Sequence, residues 1–144
     1  MHVSNLITEE NLLKLPKINF DELKFLWAND WWDGAISGML IYQNEKCQFE
    51  LICENDDTNS KDYYRRFLVI KLTVKQIEQE EYWHNLFKEK VGTHYDLDDN
   101  GVRQIETPAQ NPKTEELHQE FYDAYQKSEK IDLSNNEFLG YYEI

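Results

Sequence analysis

The stretch that decides the fold is Met39–Glu54, MLIYQNEKCQFELICE. Two apolar runs flank the turn-forming pair Asn44-Glu45, and the second run alternates. Cys47, Phe49, Leu51 and Cys53 fall on one side and Gln48, Glu50 and Glu54 on the other, with Ile52 out of step. A period of two is the mark of a strand with one covered face. The reading is therefore a hairpin of Met39–Gln43 with Cys47–Glu54. Downstream, Tyr63–Leu72 is rich in aromatic and β-branched residues and supplies a third strand, with Phe67, Val69 and Arg65 sharing a face. The polar run Asn55–Asp62 joins the two strands as a loop.

Helical signals lie on both sides of this meander. Thr8 can cap a short helix that Pro16 stops at Leu15, with Glu9 and Glu10 in its first turn. Asp21–Trp27 fits helix or extended chain: Leu23, Leu26 and Trp27 have helical spacing. Thr73 and Gln76 stand at capping-box distance ahead of a helix running to Lys90, with Gly92 just beyond it. The polar run Glu78–Tyr82 interrupts the apolar stripe of that helix, so a bend is expected there. Thr114–Lys127 repeats the pattern, with Leu117, Phe121, Ala124 and Tyr125 on one side. Asn136–Ile144 reads as a last strand. The expected fold class is α+β: an antiparallel sheet of three to five strands, a β-meander plus the C-terminal strand, with helices packed on one face. Residues 1–144 are expected to form one globular domain. The expected core comprises Leu26, Leu40, Phe49, Leu51, Phe67, Val69, Ile77, Trp83, Leu86, Phe87, Leu117, Phe121 and Tyr125.

Composition bounds the function. The 144 residues carry 28 acids against 15 Lys and Arg, a formal net charge of -13. The part from Asp96 onward holds 12 of those acids and 4 of those bases. Yet 14% of residues are aromatic, which separates the chain from disordered acidic tails that have too little to bury. An acidic protein lacks the basic patches that hold phosphates or an anionic bilayer, so neither nucleic acid nor a membrane surface is expected as a partner. No leader-like N-terminal run and no ~20-residue apolar span is seen. Two cysteines, Cys47 and Cys53, six apart in one strand, would be about 20 Å apart on the same side, too far for a disulfide. Reduced thiols suit a cytoplasmic location.

Three constellations could carry chemistry. Asp96-Leu-Asp98-Asp99-Asn100-Gly101 begins like a calcium loop, but the position of the bidentate Glu falls on Thr107 and Pro108 follows. An acidic turn is the favoured reading, since Asp, Asn and Gly are turn formers for backbone reasons. His84, His94 and His118 could act as ligands or as acid–base groups. His94 and Asp96 form a His-x-Asp unit that would share a side of an extended segment. The chain shows none of the spacings by which zinc or nucleophilic sites are recognised. A cofactor and a resident metal are accordingly not expected, and catalysis is the less favoured class. The densest feature is Trp27, Trp31 and Trp32 with Asp30 and Asp33: core packing of at least two of these indoles is the favoured reading, and a recognition surface of aromatic anchors beside carboxylates is the other.

The reading that follows is a non-catalytic acidic interaction protein. Inhibitors and immunity-type proteins that bind a basic partner such as a toxin have this profile. Candidate contacts are Asp30, Trp31, Trp32 and Asp33, then Asp96, Asp98 and Asp99, then Glu115, Glu116, Glu120 and Asp123. The alternative is a small metal-dependent enzyme or ligand-binding domain using His94, Asp96 and Asp98, with His84 beside them. It requires at least three of these side chains to meet.

Overall fold

A computed structural model describes residues 3–55, 63–103, 114–128 and 131–144. The strands are β1 (Leu23–Trp31), β2 (Ala35–Tyr42), β3 (Glu45–Asn55), β4 (Tyr64–Lys71) and β5 (Phe138–Glu143). They form one antiparallel sheet in the order β1-β2-β3-β4-β5. The helices are α1 (Glu9–Leu12), α2 (Val74–Lys90) and α3 (Thr114–Lys127). The α+β expectation holds, with the C-terminal strand pairing beside β4. Of the loop expected over Asn55–Asp62, Asn55 is the last residue of β3 and positions 56–62 lie outside the described residues.

Asp21–Trp27 resolves into one turn of 3-10 helix, Phe20–Glu22, followed by β1. The helical-looking spacing has a simple origin. A register shift between Phe25 and Trp27 lets Leu26 and Trp27 turn to the same side, while Leu23, Phe25 and Ala28 turn to the other. The β2–β3 turn sits one residue earlier than expected. Gln43 and Asn44 both have positive φ, 52° and 64°, as a two-residue hairpin with the right twist requires.

A second shift, between Leu51 and Cys53 on β3, corrects the placement of the cysteines. Cys47 joins Phe49 and Leu51, whereas Cys53 lies against the opposite cluster with Ile52. Both thiols are free. The same shift explains the partner of Arg65. This buried guanidinium pairs with Glu54, Nε to Oε2 at 2.9 Å, because the extra residue returns Glu54 to the side of Arg65.

The sheet curls. Five strands at ~4.8 Å spacing would set β1 and β5 about 19 Å apart if flat. Yet the rings of Phe25 on β1 and Tyr142 on β5 have centroids 5.9 Å apart. The curl fills its own inner side with Phe25, Phe49, Phe67, Val69 and Tyr142. The chain just before β1 seals the seam: Ile18 N donates to Tyr141 O at 2.7 Å and Tyr141 N to Pro16 O at 3.0 Å. Gly140 makes this approach possible, since a Cβ there would lie 2.6 Å from Pro16 O. The outer side of β1 is joined by residues 95–99, through Phe25 N to Asp99 O, Ala28 N to Tyr95 O and Leu97 N to Leu26 O.

The convex side is the one the helices cover. Leu12 of α1 and Ile77 of α2 pack there with Met39, Leu68, Ile70 and Leu133. Thr73 and Gln76 form the expected capping box. The expected bend in α2 is absent: the helix runs unbroken, and Glu80, in the middle of the polar interruption, is buried. Of the expected core, Leu40, Phe49, Leu51, Phe67, Val69 and Phe87 are buried. Leu26, Ile77, Trp83, Leu86, Leu117, Phe121 and Tyr125 are half-buried. Among the described residues no helix is long and apolar enough to cross a membrane.

Candidate functional site

The polar side of β3 does not face water. Gln48 and Glu50, which the alternation assigns to the side opposite Phe49, lie under α2 and α3. With Glu80, Trp83 and Tyr125 they line a cavity of about 160 Å³. Glu50 also lines a neighbouring cavity of about 340 Å³ with Asp30 and Ser37. The two cavities share Ile131 and Leu133.

Within this layer the hydrogen bonds run in short chains. Gln48 Nε2 donates to Glu50 Oε1 at 2.6 Å. Trp27 Nε1 donates to Asn29 Oδ1, and Asn29 Nδ2 donates to Glu80 Oε2, each at 3.0 Å. The carbonyl oxygen of the Gln48 amide, Oε1, is buried with no donor. Burial pushes the Glu50 carboxyl up to about 7, and the nearby Glu80 and Asp30 charges add to the rise although the Gln48 bond opposes it. The Tyr125 phenol is pushed up to about 12 by burial and by Glu80, Glu50 and Asp30. None of the described Lys or Arg forms an ion pair with Glu50. The region thus gathers negative charge and hydrogen-bond acceptors beside two aromatic rings, an arrangement suited to a cation.

The histidines divide into two groups. His84 stacks on Trp27 and sets Nε2 2.9 Å from Asp96 Oδ1. No hydrogen is well aligned on that oxygen, which is otherwise buried. Burial holds the imidazole down, to about 4, against the pull of Asp96. His94 turns instead to Phe87 and His118. The segment is a turn at this point, closed by Asp96 N to Thr93 O, and the two side chains take different partners, Asp96 meeting His84 while His94 meets Phe87 and His118. Burial also lowers His94 and His118. Among the described residues no group of three His, Cys, Asp or Glu side chains is placed to hold a metal ion.

The other expected contact residues have distinct fates. Asp98 spends its carboxylate on its own turn, with Oδ1 accepting from Asn100 N and Val102 N at 2.9 Å each. That is the turn reading of the acidic motif. Asp30 is half-buried and accepts from Trp31 N at 2.8 Å. Trp31 is half-buried and roofed by the Arg103 guanidinium, 3.6 Å from its ring centroid. Asp30, Trp31, Asp96 and Asp98 are therefore internal or engaged. Trp32 is 58% exposed, and Asp33 and Asp99 are exposed. On α3, Glu116, Glu120 and Asp123 are exposed, with Gln119 Nε2 donating to Asp123 Oδ1. The side chain of Glu115 lies outside the described residues.

The Trp32 turn is firmly held. Asp33 has φ 51° and Gly34 φ 115°, and Trp32 N donates to Gly34 O at 2.9 Å. From beneath, Arg65 Nη1 donates to Asp33 O at 3.1 Å while its Nε holds Glu54.

Sequence reasoning missed Gln48, Glu50, Glu80 and Tyr125 as a group. Two signals were present in the chain: an acid in the middle of a buried strand and a polar interruption in an apolar helix stripe. Comparison with protein-family models, with curated proteins and with solved structures gave no match.

Proposed function

We propose that the protein is a non-catalytic acidic binding protein whose exposed Trp32 anchors a basic protein partner, in the manner of an inhibitor or immunity-type protein. The observation that supports this reading is the Trp32 indole. It is 58% exposed at the tip of a turn pinned from behind by Arg65. A large side chain that packs against little of its own protein, on a rigid mount, loses little freedom on binding. The exposed acids Asp33, Asp99, Glu116, Glu120 and Asp123 add a field that draws a basic surface and speeds encounter.

The test is affinity capture from the native cell, with the captured protein identified by mass spectrometry and re-bound in pure form. One basic protein, bound by wild type and lost with Trp32→Ala, is the expected result. Its association rate should fall steeply with added salt, because exposed charges are screened beyond about 8 Å at physiological ionic strength. A partner that binds Trp32→Ala as tightly as wild type would overturn the anchor.

A further inference from the structure

We propose that the cavity between β3 and the helices α2 and α3 is a binding site for a primary alkylammonium group. Its N–H donors would be taken by Glu50 and Gln48 Oε1 beside the Glu80 charge, its stem lying along Ile131 and Leu133. This site is separate from the Trp32 turn, and the inference does not depend on the surface reading.

Four observations converge on it. The first is an unmet acceptor: Gln48 is 5% exposed, forms part of the cavity wall, and leaves Oε1 without a donor. Buried acceptors in folded proteins nearly always have one. The second is unmet charge. Glu50 receives one hydrogen bond, from Gln48, and faces Asp30 of β1 and Glu80 of α2, with no ion pair to a described Lys or Arg. Tyr125 of α3 and Asp132 of the following segment also border its cavities, and among the described residues no cationic side chain lines either one. The third is size. A cavity of about 160 Å³ resembles those known to hold a molecule of roughly six heavy atoms. The fourth is the mixed lining. Trp83 and Tyr125 place aromatic rings in the wall beside the acceptors, while Ile131 and Leu133 offer an apolar track for methylenes.

These features exclude other ligand classes. An anion would meet two carboxylates. A neutral alcohol would leave the Glu50 charge uncompensated. A bare divalent ion has no set of three ligating side chains among the described residues. A primary ammonium answers every one of the three demands: donors, positive charge and a short apolar stem. It can arrive as a free alkylamine or as the lysine side chain of another protein, and the two sources are separable by experiment.

The experiment is calorimetric titration of the full chain with n-butylammonium, with n-butanol, and with a short lysine peptide and its acetyl-lysine counterpart. At about pH 8 the expected result is saturable binding of butylammonium and none of butanol. Affinity should fall as pH is lowered to about 6, because Glu50 then takes up a proton and must release it to bind. Glu50→Gln, a neutral replacement of the same shape, should weaken binding at least roughly tenfold. The pH series on wild type gives the same information should that variant fold poorly. Lysine peptide binding, abolished by acetylation, would identify a protein side chain as the source; butylammonium alone would identify a small molecule. The proposal is overturned if neither amine binds, if butanol binds equally well, or if binding ignores both pH and Glu50→Gln.

Discussion

The indole of Trp27 and the imidazole of His84 lie face to face, ring centroids 4.1 Å apart and planes 3° from parallel. The stack ties the bulged strand β1 to α2 and shuts His84 away from water. Its folded-state value, about 4, lies below the ordinary histidine value of 6.5. The unfolded chain therefore binds the proton more readily. The stability His84 contributes is complete above about pH 6.5 and is lost as pH falls toward 4. The His84 ring carbon resonances should keep neutral-imidazole shifts down to about pH 5. A titration midpoint near the ordinary histidine value would show that the stack does not exclude water.

Glu50 works in the opposite sense. Its carboxyl is raised from 4.5 to about 7, so the native state holds this proton more tightly than the unfolded chain. The contribution is complete below about pH 4.5 and is lost as pH rises to about 7. Glu50→Gln keeps the shape and removes the charge. At about pH 8 it should be more stable than wild type by up to about 3 kcal/mol, and near pH 4 by little. Urea unfolding at both pH values measures this directly; equal effects at the two would contradict the assignment.

Arg65 and Glu54 form a pair with side chains only 8% and 12% exposed. Removing one partner strands a buried charge, so Glu54→Ala should cost about 3–5 kcal/mol. The double replacement Arg65→Met, Glu54→Leu should recover most of that loss in thermal unfolding. It should also loosen the turn that Arg65 holds through Asp33 O, which would appear as faster fluorescence depolarisation of Trp32.

Gly140→Ala places a methyl 2.6 Å from Pro16 O and 2.9 Å from Ile18. The seam between β5 and residues 16–18 must then part. A loss of about 1–3 kcal/mol is expected, with faster hydrogen exchange at Ile18 N and Tyr141 N than at amides within β3. Exchange at those two amides unchanged by the substitution would mean that the seam tolerates the methyl.

Trp32→Ala should change stability by no more than about 0.5 kcal/mol, since the indole is mostly in solvent. This matters for the capture experiment. A partner lost from a variant as stable as wild type is lost through the contact surface.

The parts of the fold written in local pattern were readable from the chain. The alternation from Cys47 to Leu51 gave β3, and Thr73 with Gln76 marked the start of α2. What escaped depends on residues far apart in sequence. A polar side of a strand signals solvent only if nothing covers it. Here the curl buries the Phe49 side against itself, and the helices then cover the Gln48 and Glu50 side. Glu80 looked like a break in α2 because helical pattern alone cannot report an acid turned inward to meet Asn29. The bulges on β1 and β3 were invisible for a similar reason: a single extra residue moves Trp27, Cys53 and Glu54 to new sides without leaving a mark in composition. Trp31 and Trp32 are adjacent and chemically alike, yet Arg103, 72 positions beyond Trp31, engages one and leaves the other in solvent.

The lacing of residues 16–18 onto β5 and of 95–99 onto β1 reaches beyond the core. Tyr141 spends its amide and carbonyl on Pro16 and Ile18, and Phe25, Leu26 and Ala28 spend theirs on Asp99, Leu97 and Tyr95. At these positions the sheet offers no open margin for a foreign strand to extend. Edge-to-edge stacking of copies, the usual hazard of an exposed β-margin, is blocked there as well. A partner that meets these rims cannot bind by adding a strand through generic backbone pairing, and must instead recognise particular side chains.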